Sequence, residues 1–198
     1  NSTLELTATT LQRLQQSLSL VRQWNDTFNL VSARDVPYLE EKHLVDALSL
    51  VPYIVRHAGQ RCQALDIGTG GGFPIVPIKC VLPDMRCMLI ERNARKVGFL
   101  RRVVAALDLP GVEVVHGAFP ESLGKIAAQV VTARAVEQPR RLLPAILNRL
   151  PADSLFLCQT DPAVTHIPAT FHVEHVSDEW KRLGLRRGEL HLMVSKRK

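Results

Sequence analysis

At 198 residues and 46% apolar content, the chain has the length of one domain and enough apolar material for a core of its own. No apolar run is long enough to cross a bilayer, and the first residues are polar helix formers rather than a basic segment leading an apolar one, so an unexported, cytoplasmic protein is expected. A formal charge of +6 favours a polyanionic partner, which gains from counterion release, although a solvated surface with a modest basic excess has the same count.

Apolar residues recur every three or four positions at Leu11, Leu14, Leu18, Val21, Trp24 and Phe28, the pattern of an amphipathic helix. A second helix is predicted from about Tyr38 to Val51, entered after Pro37, with Leu44, Ala47, Leu48 and Val51 on one side. After Gly59 short apolar runs alternate with helical stretches, and the predicted strands are Gln63 to Asp66, Cys87 to Glu91, Val112 to His116, Val130 to Ala133 and Ser154 to Gln159. Such alternation implies a mostly parallel sheet wrapped by helices. Phe171 to Val176 and Glu189 to Ser195 instead alternate apolar and polar residues across a charged connection around Trp180 to Gly188, which predicts an antiparallel pair closing the sheet. The expected organisation is one 1–198 α/β domain, in which residues 1–58 form a helical cap and 59–198 the sheet; no long apolar edge is evident, so a monomer is expected.

Cys62, Cys80, Cys87 and Cys158 form no C-x-x-C pair and sit among apolar neighbours, the pattern of buried reduced thiols. The seven histidines lack partners at ligand spacing, and no metal site is expected.

The most informative stretch is Leu65-Asp66-Ile67-Gly68-Thr69-Gly70-Gly71-Gly72-Phe73-Pro74, a strand that ends in an acidic residue and runs into a glycine turn. Gly68, Gly70 and Gly72 are spaced G-x-G-x-G, and Phe73 stands where the dinucleotide fingerprint requires a third glycine, which weakens a nicotinamide or flavin reading. Roughly twenty residues onward, Glu91 closes the second strand, where a carboxylate can accept hydrogen bonds from both hydroxyls of a ribose. Asp66 beside the loop would repel a pyrophosphate but suits a cationic methionine amine or sulfonium, so S-adenosylmethionine fits the charges better than NAD or ATP. The bland alternative is a tight strand-to-helix connection with no ligand.

These residues, together with Asn29-Leu30-Val31, Arg34-Asp35, Lys42-His43-Leu44-Val45-Asp46, Pro77, Arg95-Lys96-Val97-Gly98-Phe99-Leu100-Arg101, Val112 to Gly117 and Thr132-Ala133-Arg134-Ala135-Val136, resemble the small-subunit ribosomal RNA methyltransferase G family, also called glucose-inhibited division protein B. The resemblance runs from about Trp24 to the C-terminus and implies a class I, Rossmann-like S-adenosylmethionine-dependent methyltransferase fold, with methyl transfer to N7 of a guanine in 16S rRNA. It implies that Gly68, Gly70 and Phe73 line the methionine part of the cofactor, Glu91 its ribose and Phe119-Pro120 its adenine, and that Arg134 sits at the cofactor and target-base pocket. The chain departs from the family's usual pattern at Glu91-Arg92, Ala47, Ala118-Phe119 and Gln159, where that family usually carries Asp-Ser, Ser, Arg-Ala and Lys. With Gln159 in place of that lysine, Lys79, Arg92, Arg95 and Lys96 are the candidates to meet RNA or its phosphates.

Guanine N7 carries a free lone pair, so the chemistry needs alignment and exclusion of water rather than a base. The chain has no Pro-Pro pair for exocyclic amine methylation, and its cysteines lack an activating setting for C5 methylation. Arg134, at the end of the fourth strand, is the candidate for orienting guanine through O6; the alternative is a salt bridge to Asp66 or Glu91 that merely holds the loop. His43 and Asp46 are one helical turn apart and read as a structural pair docking the N-terminal helices over the cleft, with RNA contact as the alternative. Basic clusters at Arg92 to Lys96, Arg101-Arg102, Arg140-Arg141, Lys181 to Arg187 and Lys196 to Lys198 favour RNA over a small metabolite. A cofactor-binding paralogue acting on another RNA or a small molecule, a weakly catalytic RNA-binding protein and a nicotinamide-dependent oxidoreductase stay open as alternatives.

Overall fold

The structure is a computed structural model that describes residues 6–134, 138–159, 169–176, 182 and 190–195. Its first helix, α1 (Ala8–Phe28), starts at Thr7, whose hydroxyl accepts a hydrogen bond from the Thr10 N–H, and ends at Asn29 in the left-handed conformation. Leu14, Leu18 and Val21 are buried as the periodicity requires, whereas Leu11 stays 46% exposed.

The predicted helix from Tyr38 to Val51 is not one helix. Ala33–Tyr38 is a 3-10 turn, Glu40–Val45 a π turn and Asp46–Leu48 a short α2, and α3 (Val51–Ala58) then begins afresh. Pro52 explains the break: a proline has no N–H for the preceding turn and is accommodated only at a helix start. The Ser49 hydroxyl donates to the Asp46 carbonyl at 2.7 Å and satisfies one of the acceptors left over.

Beyond the cap the chain runs β1 (Gln63–Ile67), α4 (Ile75–Val81), β2 (Arg86–Glu91), α5 (Ala94–Ala106), β3 (Val112–His116), β4 (Val130–Arg134), α6 (Pro139–Leu147), β5 (Leu155–Gln159), β6 (Phe171–His175) and β7 (His191–Ser195). The sheet order is β3-β2-β1-β4-β5-β7-β6, with β7 antiparallel to both β5 and β6 and the other pairings parallel. The first six predicted strands coincide with these to within a residue at each end. Glu189 and, apart from Arg182, the connection around Trp180 to Gly188 lie outside the described residues, as do Lys196 to Lys198 and Ala135-Val136.

Alternation along the strands feeds two cores. On one face Ala64, Cys87 and Leu89 meet α4, α5 and the cap through Leu14, Ile54, Ile78 and Phe99. On the other, Leu65, Ile67 and Phe156 meet α6 through Leu143 and Ile146. Helix α1 packs on α4 and α5, and Arg13 and Gln16 donate to the Asp108 and Ala106 carbonyls at the far end of α5.

All four cysteines are buried free thiols, and burial pushes Cys80 up to about 11 and Cys87 up to about 12. Lys79 is not a surface cation: it is 2% exposed, and its Nζ donates to the Pro83 and Met85 carbonyls at 2.6 Å each. It closes the turn from α4 to β2 and is unavailable to RNA. Among the described residues no helix is long and apolar enough to cross a membrane, and no group of three or more His, Cys, Asp and Glu side chains is arranged to hold a metal ion.

Candidate active site

Strand order reverses between β1 and β4, and a cleft of about 440 Å³ opens at the C-terminal ends of these strands and β2. The glycine turn forms its floor. Gly68 has φ +73° with open space where a Cβ would point, so its backbone faces the cleft bare. The turn is held from below: the Gly68 N–H donates to the Ile90 carbonyl at 3.0 Å, and the Gly70 N–H donates to Glu91 Oε2 at 2.9 Å. Glu91 Oε1 accepts from the Asn93 N–H at 2.8 Å, so two backbone donors lock the carboxylate at the cleft wall while its oxygens keep acceptor capacity.

Of the residues predicted at the cofactor, Gly68, Gly70, Phe73, Glu91, Phe119 and Arg134 line the cleft. Asp66, Gly72 and Pro120 do not. Asp66 lies beneath the floor, 1% exposed, with Oδ1 accepting from the Thr132 hydroxyl at 2.6 Å and Oδ2 buried without a partner among the described residues. Burial pushes its carboxyl up to about 7, against the Thr132 and Thr69 hydroxyls and the more distant Arg134 charge. Gly72 faces α4, where a Cβ would stand 2.9 Å from Val76 Cγ2.

Arg134 ends β4 with its side chain 18% exposed. The alternative drawn from sequence, a salt bridge to Asp66 or Glu91, is replaced by contacts to the cap. Nη2 is 2.7 Å from His43 Nδ1, and Nη1 is 3.4 Å from Asp46 Oδ2. That same Asp46 oxygen accepts from Gln159 Nε2 at 2.9 Å, and Asp46 is 1% exposed. His43 Nε2 lies 3.5 Å from Asp35 Oδ2, whose other oxygen pairs with Lys42 at 2.9 Å. The Phe73 ring lies beside both, 5.1 Å from the His43 ring and 5.5 Å from the Arg134 guanidinium. Burial draws the Arg134 guanidinium below its ordinary value, and Asp46 is the main charge opposing that shift.

Arg92 and Lys96 line the cleft, whereas Arg95 is exposed at the start of α5 and does not. Asn93 caps that helix by accepting from the Arg95 and Lys96 N–H groups. Arg101 turns to the Val114 carbonyl and Arg102 covers the Trp24 ring at 4.5 Å, both away from the cleft. Arg141 lines the cleft and pairs with Glu121 at 2.8 Å from across its mouth. Sequence reasoning gave no site role to Leu30, Asn93, Glu121 and Gln138, which also line it. Only Asn93 carried a readable signal, as a helix-capping residue shortly after a strand. A Cβ at Gly71 would meet Leu30 at 3.1 Å, so glycine there lets the cap close onto the turn.

The family described as rRNA small subunit methyltransferase G, GidB, matches residues 10–159. Ribosomal RNA small subunit methyltransferase G of Chromobacterium violaceum is 43% identical over 112 residues, 57% of this chain and 52% of that protein. The proteins of the same name from Marinobacter nauticus and Halorhodospira halophila are 30% and 38% identical over 195 and 154 residues, covering 96% and 78% of this chain and 88% and 71% of theirs. The match therefore spans about half the length of the first relative and most of the other two. Among solved structures, a putative methyltransferase, yhhF, from Escherichia coli superposes with a TM-score of 0.61 at 15% identity, covering 77% of this chain and 86% of that one. A mutant of MtNAS in complex with S-adenosylmethionine superposes with a TM-score of 0.59 at 18% identity, over 96% and 72%. Both share the fold. With the family match extending over most of the chain and two relatives at 30% and 38% identity, the chain belongs to the rRNA small subunit methyltransferase G family.

Proposed function

We propose that this protein transfers the methyl group of S-adenosylmethionine to N7 of a guanine in small-subunit 16S rRNA, and does so in the cytoplasm as a monomer built from a single domain, with residues 1–58 as its cap. The observation that carries the reading is the cleft itself: bare backbone at Gly68 and Gly70, a pinned Glu91 carboxylate beside them, and a guanidinium at the end of β4. S-adenosylmethionine supplies an electrophilic methyl on a sulfonium. Glu91 suits its ribose hydroxyls because two backbone N–H groups already hold the carboxylate still. Phe119, with Pro120 after it, offers an apolar surface to the adenine, and Phe73 one to the methionine side. Asp66, 1% exposed beneath the floor, supports the site from below and does not line the cleft.

Guanine N7 needs no deprotonation, so the chain's task is to hold the base in line and dry. Arg134 donates toward O6, and its donors beyond the two engaged by His43 and Asp46 serve that end. Arg92 and Lys96 at the cleft, with Arg95 beside them, neutralise phosphates on the incoming RNA. Calorimetric titration tests the cofactor half: S-adenosylmethionine binds, NAD does not, and Glu91→Ala weakens binding at least tenfold. Equal binding of NAD, or no loss on removing the carboxylate, would overturn it. Incorporation of labelled methyl into rRNA tests the acceptor half.

A further inference from the structure

Arg134 is a cleft residue, yet its shortest contact is made by the cap and not by the sheet that carries it. The contact to His43 is 2.7 Å, whereas the contact to Asp46 is 3.4 Å and uses an oxygen that Gln159 approaches more closely, at 2.9 Å. Asp46 thus supplies counter-charge, and His43 sets position. A guanidinium can only donate, so His43 Nδ1 must present its lone pair, which makes the ring neutral with its proton on Nε2. That nitrogen lies 3.5 Å from Asp35 Oδ2, an electrostatic contact rather than a formed hydrogen bond, and Lys42 anchors Asp35 from the other side. The His43 side chain is 10% exposed and leans on Phe73, so it has little room to turn.

We propose that His43 is the positioning residue for Arg134, with Asp35 selecting the imidazole tautomer that can accept the guanidinium. Residues from the 3-10 and π turns before the sheet thereby set the geometry at the end of β4, an arrangement in which the second residue out fixes the orientation of the first. The inference rests on Arg134 serving methyl transfer as described above, and its test separates the two claims.

The first measurement is imidazole ¹⁵N NMR on the folded chain without ligand. His43 should show protonated Nε2 and unprotonated Nδ1, and Asp35→Asn should erode that preference. Rotation of the Arg134 guanidinium should be slow in the wild type and faster in His43→Leu. The opposite tautomer, or rotation indifferent to His43, overturns the proposal whether or not the protein methylates rRNA. The second is kinetic. His43→Leu should lower kcat about 10- to 100-fold, the scale of a misplaced catalytic group, with the KM for S-adenosylmethionine within about threefold. His43→Asn, whose amide oxygen occupies the place of Nδ1, should recover most of the rate. Leu and Asn variants equally impaired, or both fully active, overturn the positioning role, whereas a wild-type protein that transfers no methyl overturns the methyl-transfer reading alone.

Discussion

Asp66→Asn should stabilise the protein at pH 8 and leave it nearly unchanged at pH 4. Burial raises the folded carboxyl to about 7 from the ordinary aspartate value of 3.8. The native state therefore holds this proton more tightly than the unfolded chain. Stability contributed by Asp66 is complete below pH 3.8, declines as the pH rises, and is gone above about 7. A gap of about three units at ~1.4 kcal/mol each puts the full swing at ~4 kcal/mol. An amide has no charge to desolvate and keeps an oxygen for the Thr132 hydroxyl. Its N–H₂ takes the place of Oδ2, which has no partner among the described residues, but a protonated carboxyl presents an O–H there too, so that cost cancels at low pH. Urea unfolding followed by circular dichroism, run on both proteins across this range, yields a difference curve from which the other titrating groups drop out. The curve should climb between about pH 4 and 7 by ~1.4 kcal/mol per unit at its steepest. A flat curve would refute the assignment of a buried, proton-holding carboxyl under the glycine turn.

Gly72→Ala should cost ~2–4 kcal/mol in the same assay, because φ is +92° and the new methyl would lie 2.9 Å from Val76 Cγ2. Asp46→Ala should cost ~3 kcal/mol, since it strips the counter-charge from a guanidinium only 18% exposed and leaves the Gln159 amide unpaired; unchanged unfolding midpoints would show that the buried pair is not formed. Lys79→Met should lower stability by ~1–3 kcal/mol by removing its two hydrogen bonds to carbonyls, with rRNA affinity unaltered. Arg92→Ala and Lys96→Ala should instead weaken rRNA binding and reduce the slope of log affinity against log salt by ~0.7–0.9 each.

Periodicity located α1, and short apolar runs located the parallel strands, because burial on both faces makes stretches such as Ala64-Leu65 and Leu89-Ile90 continuously apolar. It missed the break at Ser49-Leu50, where an apolar pattern continues through Pro52 and only the missing N–H betrays a new helix start. The glycine turn, Glu91 and Arg134 were legible as chemistry, because strand ends followed by glycine or a charge mark a ligand edge. What held Arg134 was not. His43 and Asp46 lie about ninety residues away in the chain, and their link to it depends on how the cap closes over Gly71. Lys79 misled for the opposite reason: a lone lysine in an apolar helix reads as its surface position until its carbonyl partners are seen.

The claim on which the rest depends is methyl transfer to guanine N7 with Arg134 holding the base. Unmodified 16S rRNA and small subunits should be incubated with labelled S-adenosylmethionine, and the modified nucleoside identified by mass spectrometry, for the wild type and Arg134→Ala. Label in 7-methylguanosine from the wild type, absent in a variant that still binds the cofactor, is the expected result. Label in any other nucleoside, or undiminished 7-methylguanosine from Arg134→Ala, would contradict it.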